Sequence, residues 1–384
     1  MTERTRVLHV PRPSRISAYV AARVGPRVID PATVDQVLQR FGLDRTGGPR
    51  NLRLGRRSHN MAVTTDRGRK AVKLYRQQWT ADTVRYCHSI LTRLAELDIP
   101  APRPVRTHEE ETWVSLDGGI YAVFDWISGT NYSVNFLLRK TRLRLTIVAG
   151  QTLARLHGAL DGFIPEGQHH LGFTSYTGPR RRDADWHAAK LEELASRSAD
   201  LADPEAAGLA HRLIRRAPSV REEIELLDRA LADAAFPRLV IHGDYGIHNL
   251  LYGRRGVAVP VDFELSRLDW RVNDLISALV KYRYRGGVYD FESMETFLRA
   301  YTDAFPLTPD ERRHLADAWR LYKLQQAVQY WNSYFETNGP VRKLASALDS
   351  IAQAEWVIEH PEAIARLAGA ARSAPTAQAG RVGG

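Results

Sequence analysis

The chain has 384 residues, 44% of them hydrophobic and 26% charged, which is the balance of a globular protein long enough for two domains or lobes. Its single cysteine, Cys87, excludes an intrachain disulfide and a multi-cysteine metal site, and no apolar run has the length of a membrane span. The net charge is +10, but the arginines are scattered and no nucleic-acid module is present, so we expect a cytoplasmic protein without a nucleic-acid or membrane partner.

Residues 1–29 are rich in arginine and are predicted to form a basic arm. Asp30 and Pro31 then form a pair typical of a helix N-cap and first turn, and they predict a helix that ends near Phe41.

Residues 50–76 alternate apolar and polar positions with glycine interruptions, which indicates strands joined by turns. The turn that carries Gly55, Ser58 and Asn60 offers backbone N–H groups and short polar side chains suited to phosphate, and an ordinary hairpin is the alternative. Lys73 lies at the centre of a later strand. Since arginine is the usual cation of this chain, a lysine there suggests that a compact ammonium is needed.

A helix predicted over 81–97 precedes two strands, 112–116 and 120–125, which are joined by a glycine-containing hairpin turn. From residue 143 onward the pattern is mostly helical, and the tail from about 373 has the composition of a disordered segment. Helices are predicted over 143–160, 185–196, 204–235, 273–284, 290–305, 308–336 and 341–368.

One motif interrupts the helical part and indicates a type of reaction. An apolar strand leads into His242-Gly243-Asp244; after four intervening residues comes Asn249, and a second strand over 257–261 leads into Asp262-Phe263-Glu264. Protein kinases place an acid, an amide and an acid in this order. Such a set can orient a hydroxyl and hold Mg²⁺ on nucleotide phosphates, so the motif predicts phosphoryl transfer.

A different chemistry also begins with His-x-Asp, namely the iron site of oxygenases with two histidines and one carboxylate. That site would use His242, Asp244 and a distal histidine such as His314 or His360. Both distal histidines lie in stretches with helical spacing, and the many short strands of an oxygenase barrel are missing. The order of the motifs therefore favours the kinase interpretation.

A strand-rich part, a hinge and a larger helical part with these acids resemble the aminoglycoside/choline/homoserine phosphotransferase family, whose fold is that of protein kinases. The resemblance covers roughly residues 30–365 and includes the proline-rich run 99–104 and the helix at 151–157. It implies an α+β, bilobal protein-kinase-like fold. Its parts would be a basic arm (1–29), a small β-rich N-lobe (30–125), a larger helical C-lobe (126–369) and a tail (370–384).

The resemblance also implies ATP- and Mg²⁺-dependent transfer of a γ-phosphate to a hydroxyl group of a small molecule such as an antibiotic, a sugar or an amino alcohol. Asp244 would accept the hydroxyl proton or orient the hydroxyl, and His242 would brace its loop. Asn249 and Asp262 would hold Mg²⁺, and Asp274 would tie the next helix to the loop. Lys73 would pair with the α/β-phosphates of the nucleotide. Gly55, Ser58 and Asn60 would lie over the phosphates. The adenine would contact the backbone of four consecutive residues: Phe124, Asp125, Trp126 and Ile127.

One position departs from the family pattern. Where the resemblance predicts a glutamate that pairs with Lys73, counting back from Pro100 leads to Cys87, and a thiol cannot supply that charge. Either another acid substitutes (Asp82 or Glu96, neither on the right helical face), or ATP orients the lysine, or activity is weak, or the alignment is shifted. If activity were weak or absent, the protein would be a pseudokinase or a nucleotide-binding scaffold, which is the second hypothesis. The intact acids of the motif argue against it.

The acceptor is constrained only in class. About ten residues separate Asp262 from the helix predicted at 273, too few for the activation segment of a protein kinase, so we expect a small-molecule acceptor. Cationic acceptors favour an acidic cleft, and the arginine-rich segment 176–186 does not indicate one. Five aromatic residues either wall the acceptor site or pack the core, and their helical spacing favours the core: Trp319, Tyr322, Tyr330, Trp331 and Tyr334.

Overall fold

The computed structural model describes residues 29–51, 59–75, 79–132, 137–169, 183–253, 256–283, 287–336 and 339–371. Two predicted phosphate-contacting residues, Gly55 and Ser58, lie outside the described residues, as do most of the predicted basic arm and of the predicted tail.

The N-terminal part is an antiparallel sheet with two helices. Helix α1 (Pro31–Arg40) begins as predicted, because the Asp30 carboxylate accepts hydrogen bonds from the N–H groups of its first turn. The sheet has the order β1-β2-β3-β5-β4, and helix α2 (Ala81–Glu96) connects its third and fourth strands along the chain. The strands are β1 (Arg50–Asn51), β2 (His59–Thr65), β3 (Gly68–Leu74), β4 (Val114–Leu116) and β5 (Gly119–Asp125).

Two buried clusters fill the molecule. The smaller one joins α1 to the sheet and includes Val37, Leu38, Val63, Val72 and Val123. The larger one contains the buried residues of α2 together with those of the helical part, so α2 packs on the same core as the C-terminal helices.

The helical part confirms the predicted bilobal α+β class. Its helices are α3 (Arg139–Leu160), α4 (Ala184–Ser198), α5 (Pro204–Ala230), α6 (Arg271–Leu279), α7 (Phe291–Thr302), α8 (Pro309–Arg313), α9 (Leu315–Glu336), α10 (Arg342–Glu359) and α11 (Pro361–Ala370). Two helices predicted as continuous are each divided. The first breaks at His314, and the second breaks at His360, where Pro361 cannot continue a helix and starts α11 instead.

Between α5 and α6 lie four short strands that form two antiparallel pairs, β6 with β9 and β7 with β8. They are β6 (Arg238–Ile241), β7 (Leu250–Tyr252), β8 (Ala258–Pro260) and β9 (Arg267–Trp270). The sequence did not predict β7 or β9, because three or four residues give too short an alternation to recognise. Of the helices that the structure describes, none has the length and apolarity needed to cross a membrane.

Candidate active site

The predicted catalytic loop leaves β6 through His242, which is fully buried. Its Nε2 lies 3.0 Å from the carbonyl oxygen of Val261, and its Nδ1 lies 3.4 Å from the backbone N–H of Asp244, which donates to it. A neutral ring protonated at Nε2 satisfies both contacts. His242 thus joins the loop before Asp244 to the segment that ends at Asp262, the bracing position expected from the sequence.

Asp274, on the first turn of α6, anchors the same loop as predicted. Its carboxylate accepts hydrogen bonds from the backbone N–H groups of His242 (2.6 Å) and Gly243 (2.8 Å), and it lies 3.2 Å from Nε2 of His157. Burial alone would raise the pKa of Asp274, but the hydrogen bonds from His157 and from the backbone N–H of His242 hold it below its ordinary value. Gly243 has φ +80°, and a Cβ there would collide with the carbonyl oxygen of Leu265, so only glycine fits this turn.

Asp244 presents a carboxylate that is about one third exposed (34%) among polar neighbours. Lys281 Nζ lies 3.3 Å from Oδ1, while His248 Nε2 and Asn249 Nδ2 lie 3.4 and 3.3 Å from Oδ2. Burial pushes the pKa of Asp244 upward, yet Lys281 and His248 bring it well below its ordinary value. The carboxylate therefore stays ionised and can accept a hydrogen bond from an approaching hydroxyl.

Asn249 and Asp262 have the donor types that a magnesium ion requires. Asn249 donates its Nδ2 hydrogens to Asp244, and among the described residues no donor is bonded to its side-chain carbonyl oxygen, which can therefore act as a ligand. Asp262 has φ +69°, a left-handed conformation rare outside glycine, and such strain is concentrated at functional sites. In the described part of the chain its carboxylate has no direct hydrogen-bond or ion-pair partner, and burial with the nearby Glu264 raises its pKa. A divalent cation would offset this unfavourable negative charge.

Lys73 does not pair with an acid of α2. Its Nζ lies 2.7 Å from Oε1 of Glu264, in the short 3₁₀ turn that follows Asp262, and both side chains are largely buried. Burial would lower the pKa of Lys73, but Glu264, followed by Tyr75 and Asp262, raises it above its ordinary value. Cys87 of α2 lies in the same electrostatic environment. Burial raises the pKa of its thiol, and Lys73 opposes that shift.

The acid that pairs with Lys73 is therefore Glu264, and the two acids of α2 suggested by the sequence form other ion pairs. Asp82 forms an exposed ion pair with Arg85 at 2.8 Å, and Glu96 lies 3.8 Å from Arg93 at the other end of α2. Cys87, the position reached by counting back from Pro100, carries no carboxylate, and the carboxylate that reaches the lysine comes from a different segment.

With this geometry described, comparison with known proteins identifies the family. The profile described as "Phosphotransferase enzyme family" matches residues 50–315. This chain belongs to that family. A homoserine kinase of Caulobacter vibrioides is 25% identical over 294 residues, covering 73% of this chain and 81% of the relative. ATP as donor and a divalent cation are typical of the family, and its members transfer phosphate to hydroxyl groups of small molecules.

Solved structures establish the fold of this phosphotransferase. The amicoumacin kinase hAmiN, solved with AMP-PNP, Ca²⁺ and Ami, superposes with a TM-score of 0.61 at 13% identity over 85% of this chain and 93% of that one. An aminoglycoside phosphotransferase from Alicyclobacillus acidocaldarius gives a TM-score of 0.56 at 16% identity over 90% and 99% of the two chains.

The four residues that are predicted to contact adenine, 124–127, fall into two pairs with different backbone hydrogen bonding. Phe124 and Asp125 end β5, where they pair with β3, and the Asp125 N–H donates to the carbonyl of Arg103. Trp126 and Ile127 follow the strand, and within the described residues their backbone groups make no hydrogen bond. Their N–H and carbonyl groups are therefore available to a nucleotide base. Asn60, predicted over the phosphates, lies on β2 directly across from Lys73.

The five C-terminal aromatic residues do not share one role. Trp319 and Trp331 are buried in the core, as their helical spacing predicted. Tyr322 is half-buried and lies within the electrostatic influence of both Asp244 and Lys281, and Tyr330 acts on Lys281 as well. These two tyrosines of α9 therefore border the catalytic loop, whereas the tryptophans hold the helix in place.

Several residues of the site were not found from the sequence, among them Glu264, Lys281 and Asn131. The Asn131 Nδ2 group lies within hydrogen-bond distance of three carbonyls of the catalytic loop, those of Ile247 (3.2 Å), His248 (2.7 Å) and Leu250 (3.0 Å). Only Glu264 had a signal, since it belongs to the quoted Asp-Phe-Glu motif. The other two depend on tertiary contacts that no local pattern reveals.

The iron alternative has no geometric support in this phosphotransferase. The ring nitrogens of His242 are occupied by backbone groups, and His360 contacts the carbonyl of Trp356 in its own helix. Among the described residues no group of three or more His, Cys, Asp or Glu side chains is arranged to hold a metal.

Proposed function

We propose that this protein is an ATP- and Mg²⁺-dependent kinase that transfers the γ-phosphate to a hydroxyl group of a small molecule. The observation that supports this most directly is the convergence of Asp244, Asn249 and Asp262 beside the Lys73–Glu264 pair. Acids and an amide at the metal side and a buried lysine at the phosphate side are the parts that phosphoryl transfer requires.

Asp262 and the carbonyl oxygen of Asn249 are the proposed ligands of Mg²⁺. Magnesium prefers oxygen ligands, keeps several waters and uses one or two carboxylates together with substrate phosphates. This explains why no cluster of three ligating side chains is needed among the described residues. When bound, the ion supplies charge neutralisation on the phosphate oxygens.

Asp244 is proposed to orient the acceptor hydroxyl. As its oxygen attacks the γ-phosphorus, the bond from that phosphorus to the β–γ bridging oxygen breaks, and the hydroxyl proton passes to Asp244 or to solvent. The lowered pKa makes Asp244 a weak base, which suffices because the proton leaves late in a loose transition state. Lys281, His248 and Asn249 fix the position of the carboxylate.

Lys73 is proposed to hold the α- and β-phosphates, and Glu264 positions it. A buried lysine with a charged partner at 2.7 Å is held in one orientation without the α2 glutamate that protein kinases use. The cysteine at that position therefore does not indicate a lost activity. This favours the kinase over the pseudokinase hypothesis.

The connection after Asp262 supports a small acceptor. It consists of a 3₁₀ turn and β9, which pairs with β6 and leads directly into α6. Protein kinases place a long activation segment here to bind a protein substrate. A connection this short leaves the neighbourhood of Asp244 to a small molecule.

The test is ATP consumption over a panel of hydroxyl compounds, with Asp244→Asn as the inactive variant. We expect turnover with at least one acceptor, its loss in Asp244→Asn, and a rise in melting temperature with ATP that requires Mg²⁺. If no panel member is phosphorylated and ATP binds identically with and without Mg²⁺, the proposed function is wrong.

A further inference from the structure

Lys323 is a buried lysine that the phosphoryl-transfer machinery described above does not use. It lies in α9, its residue is only 3% exposed, and its ammonium donates to the side-chain oxygen of Gln326, one turn away. Within the ranges that the structure describes, no carboxylate lies within ion-pair distance of it. Lysine is rarely buried without a charged partner, so this position calls for an explanation.

The charged groups around Lys323 are mostly positive. Burial and the charge of Lys281 lower its pKa to about 7; Arg283 adds to this, and Asp349 of α10 opposes it. Asp349 already accepts a hydrogen bond from Arg283 at 2.9 Å, and Lys281 lies 3.3 Å from an acid of its own, Asp244. Within the described residues, Lys323 therefore has no matching acid, in contrast to Lys281 and Arg283.

This group is continuous with the catalytic loop. Lys281 contacts Asp244 directly and acts on Lys323 electrostatically. Tyr322, next to Lys323 in α9, lies within the influence of Asp244 and Lys281. A small molecule whose hydroxyl lies at Asp244 would therefore lie beside Lys281, whose charge acts on Lys323.

We propose that Lys281, Arg283 and Lys323 form a cationic subsite that binds an anionic group, a carboxylate or a phosphate, of the acceptor whose hydroxyl is phosphorylated. The proposal rests on the proposed function and narrows its acceptor class. An anionic group supplies the negative counter-charge that Lys323 lacks, while a cationic acceptor would add a like charge beside it. The cationic side chains thus select hydroxy acids or sugar phosphates over amino alcohols without an acid group.

The experiment compares matched acceptors on the wild-type protein. Each pair keeps at least one hydroxyl and differs in the presence of an anionic group: L-homoserine with its amide, 4-hydroxybutyrate with 4-hydroxybutanamide, and glucose 6-phosphate with glucose. Ethanolamine is the cationic reference. We expect kcat/KM to be about 10- to 100-fold higher for the anionic member of at least one pair, the range that a charged hydrogen bond provides.

Lys323→Met then tests the residue itself. The anionic preference should fall toward one, mainly through a higher KM for the anionic acceptor, and Lys323→Arg should keep part of it. Lys140→Met, which changes an exposed lysine of α3, is the matched control and should keep the preference. Lysine and methionine have similar length, and a melting curve shows whether the variant is folded.

The outcomes separate the two proposals. Turnover of neutral or cationic acceptors with no anionic preference overturns the cationic subsite and leaves the kinase assignment standing. An anionic preference that Lys323→Met leaves unchanged shows that Lys323 is a structural lysine and overturns its role. If no acceptor of any charge is phosphorylated, the kinase assignment fails and the subsite fails with it.

Discussion

Replacing Glu264 by glutamine removes the charge that holds Lys73 and should weaken productive ATP binding. The two groups are 2.7 Å apart and largely buried, a setting in which a charged hydrogen bond contributes about 1.5–3 kcal/mol. Asp262 remains close enough to Lys73 to compensate in part, so we take about 2 kcal/mol. Since 1.4 kcal/mol corresponds to a factor of ten, kcat/KM for ATP should fall about 30-fold.

The assay is steady-state ATP consumption at saturating acceptor, with kcat and KM for ATP determined separately. A second substitution provides the decisive control. Cys87→Glu in the Glu264→Gln background places a carboxylate on α2 beside Lys73 and should recover most of the lost kcat/KM. Asp82→Asn and Glu96→Gln remove exposed acids of the same helix and should stay within about twofold of wild type.

Two results would refute this reasoning. If Glu264→Gln shifts the Mg²⁺ concentration for half-maximal rate and leaves KM for ATP unchanged, Glu264 acts as a metal ligand and not as the partner of Lys73. If the double variant folds but recovers nothing, a carboxylate from α2 does not reach the lysine, and Cys87 does not occupy the position of the family glutamate.

Four further outcomes are expected. Asp244→Asn should lower kcat by about 10³-fold or more while ATP still raises the melting temperature, because the change affects the hydroxyl and not the nucleotide. Asp262→Asn should abolish the Mg²⁺-dependent part of that rise, measured with and without EDTA. Asp274→Asn should destabilise the fold by about 3 kcal/mol, seen as a lower urea midpoint, since three donors lose a charged acceptor. The pKa of Lys323 falls from 10.5 to about 7 on folding, so burial of its ammonium lowers the free energy of unfolding. This loss of stability is complete below pH 7 and disappears as the pH rises to 10.5. Lys323→Met should therefore raise the melting temperature at pH 6 and gain progressively less toward pH 10; an equal gain at both pH values would show that the ammonium is not the cause.

The sequence predicted the fold class and the residues near Asp244 because both depend on local patterns. The period of the apolar residues predicts the helices, and the spacing of His242, Asp244 and Asn249 fixes them to one loop. Lys281 could not be predicted in the same way. It follows α6 in an unremarkable segment, and only the packing of α6 against β6 brings it to the carboxylate of Asp244.

Glu264 shows a different limit of sequence reasoning. Glu264 belongs to the Asp-Phe-Glu motif, but the family pattern places the partner of Lys73 on α2, which directs attention to the acids of that helix, Asp82 and Glu96. Lys73 on its strand and Glu264 in its turn are nearly two hundred residues apart in the chain. Their contact depends on how the two parts of the fold pack together, which the local spacing of apolar residues does not predict.

The transfer of this role from α2 to the turn after Asp262 also changes what controls the site. In protein kinases the lysine and its glutamate must be brought together, and movement of the helix that carries the glutamate regulates activity. Here the lysine of β3 is paired with a residue two positions from the proposed metal ligand, so the ion pair joins the sheet directly to the metal-side segment. Helix α2 contributes a buried thiol and apolar packing on the larger core. A displacement of α2 would therefore leave the lysine paired with Glu264.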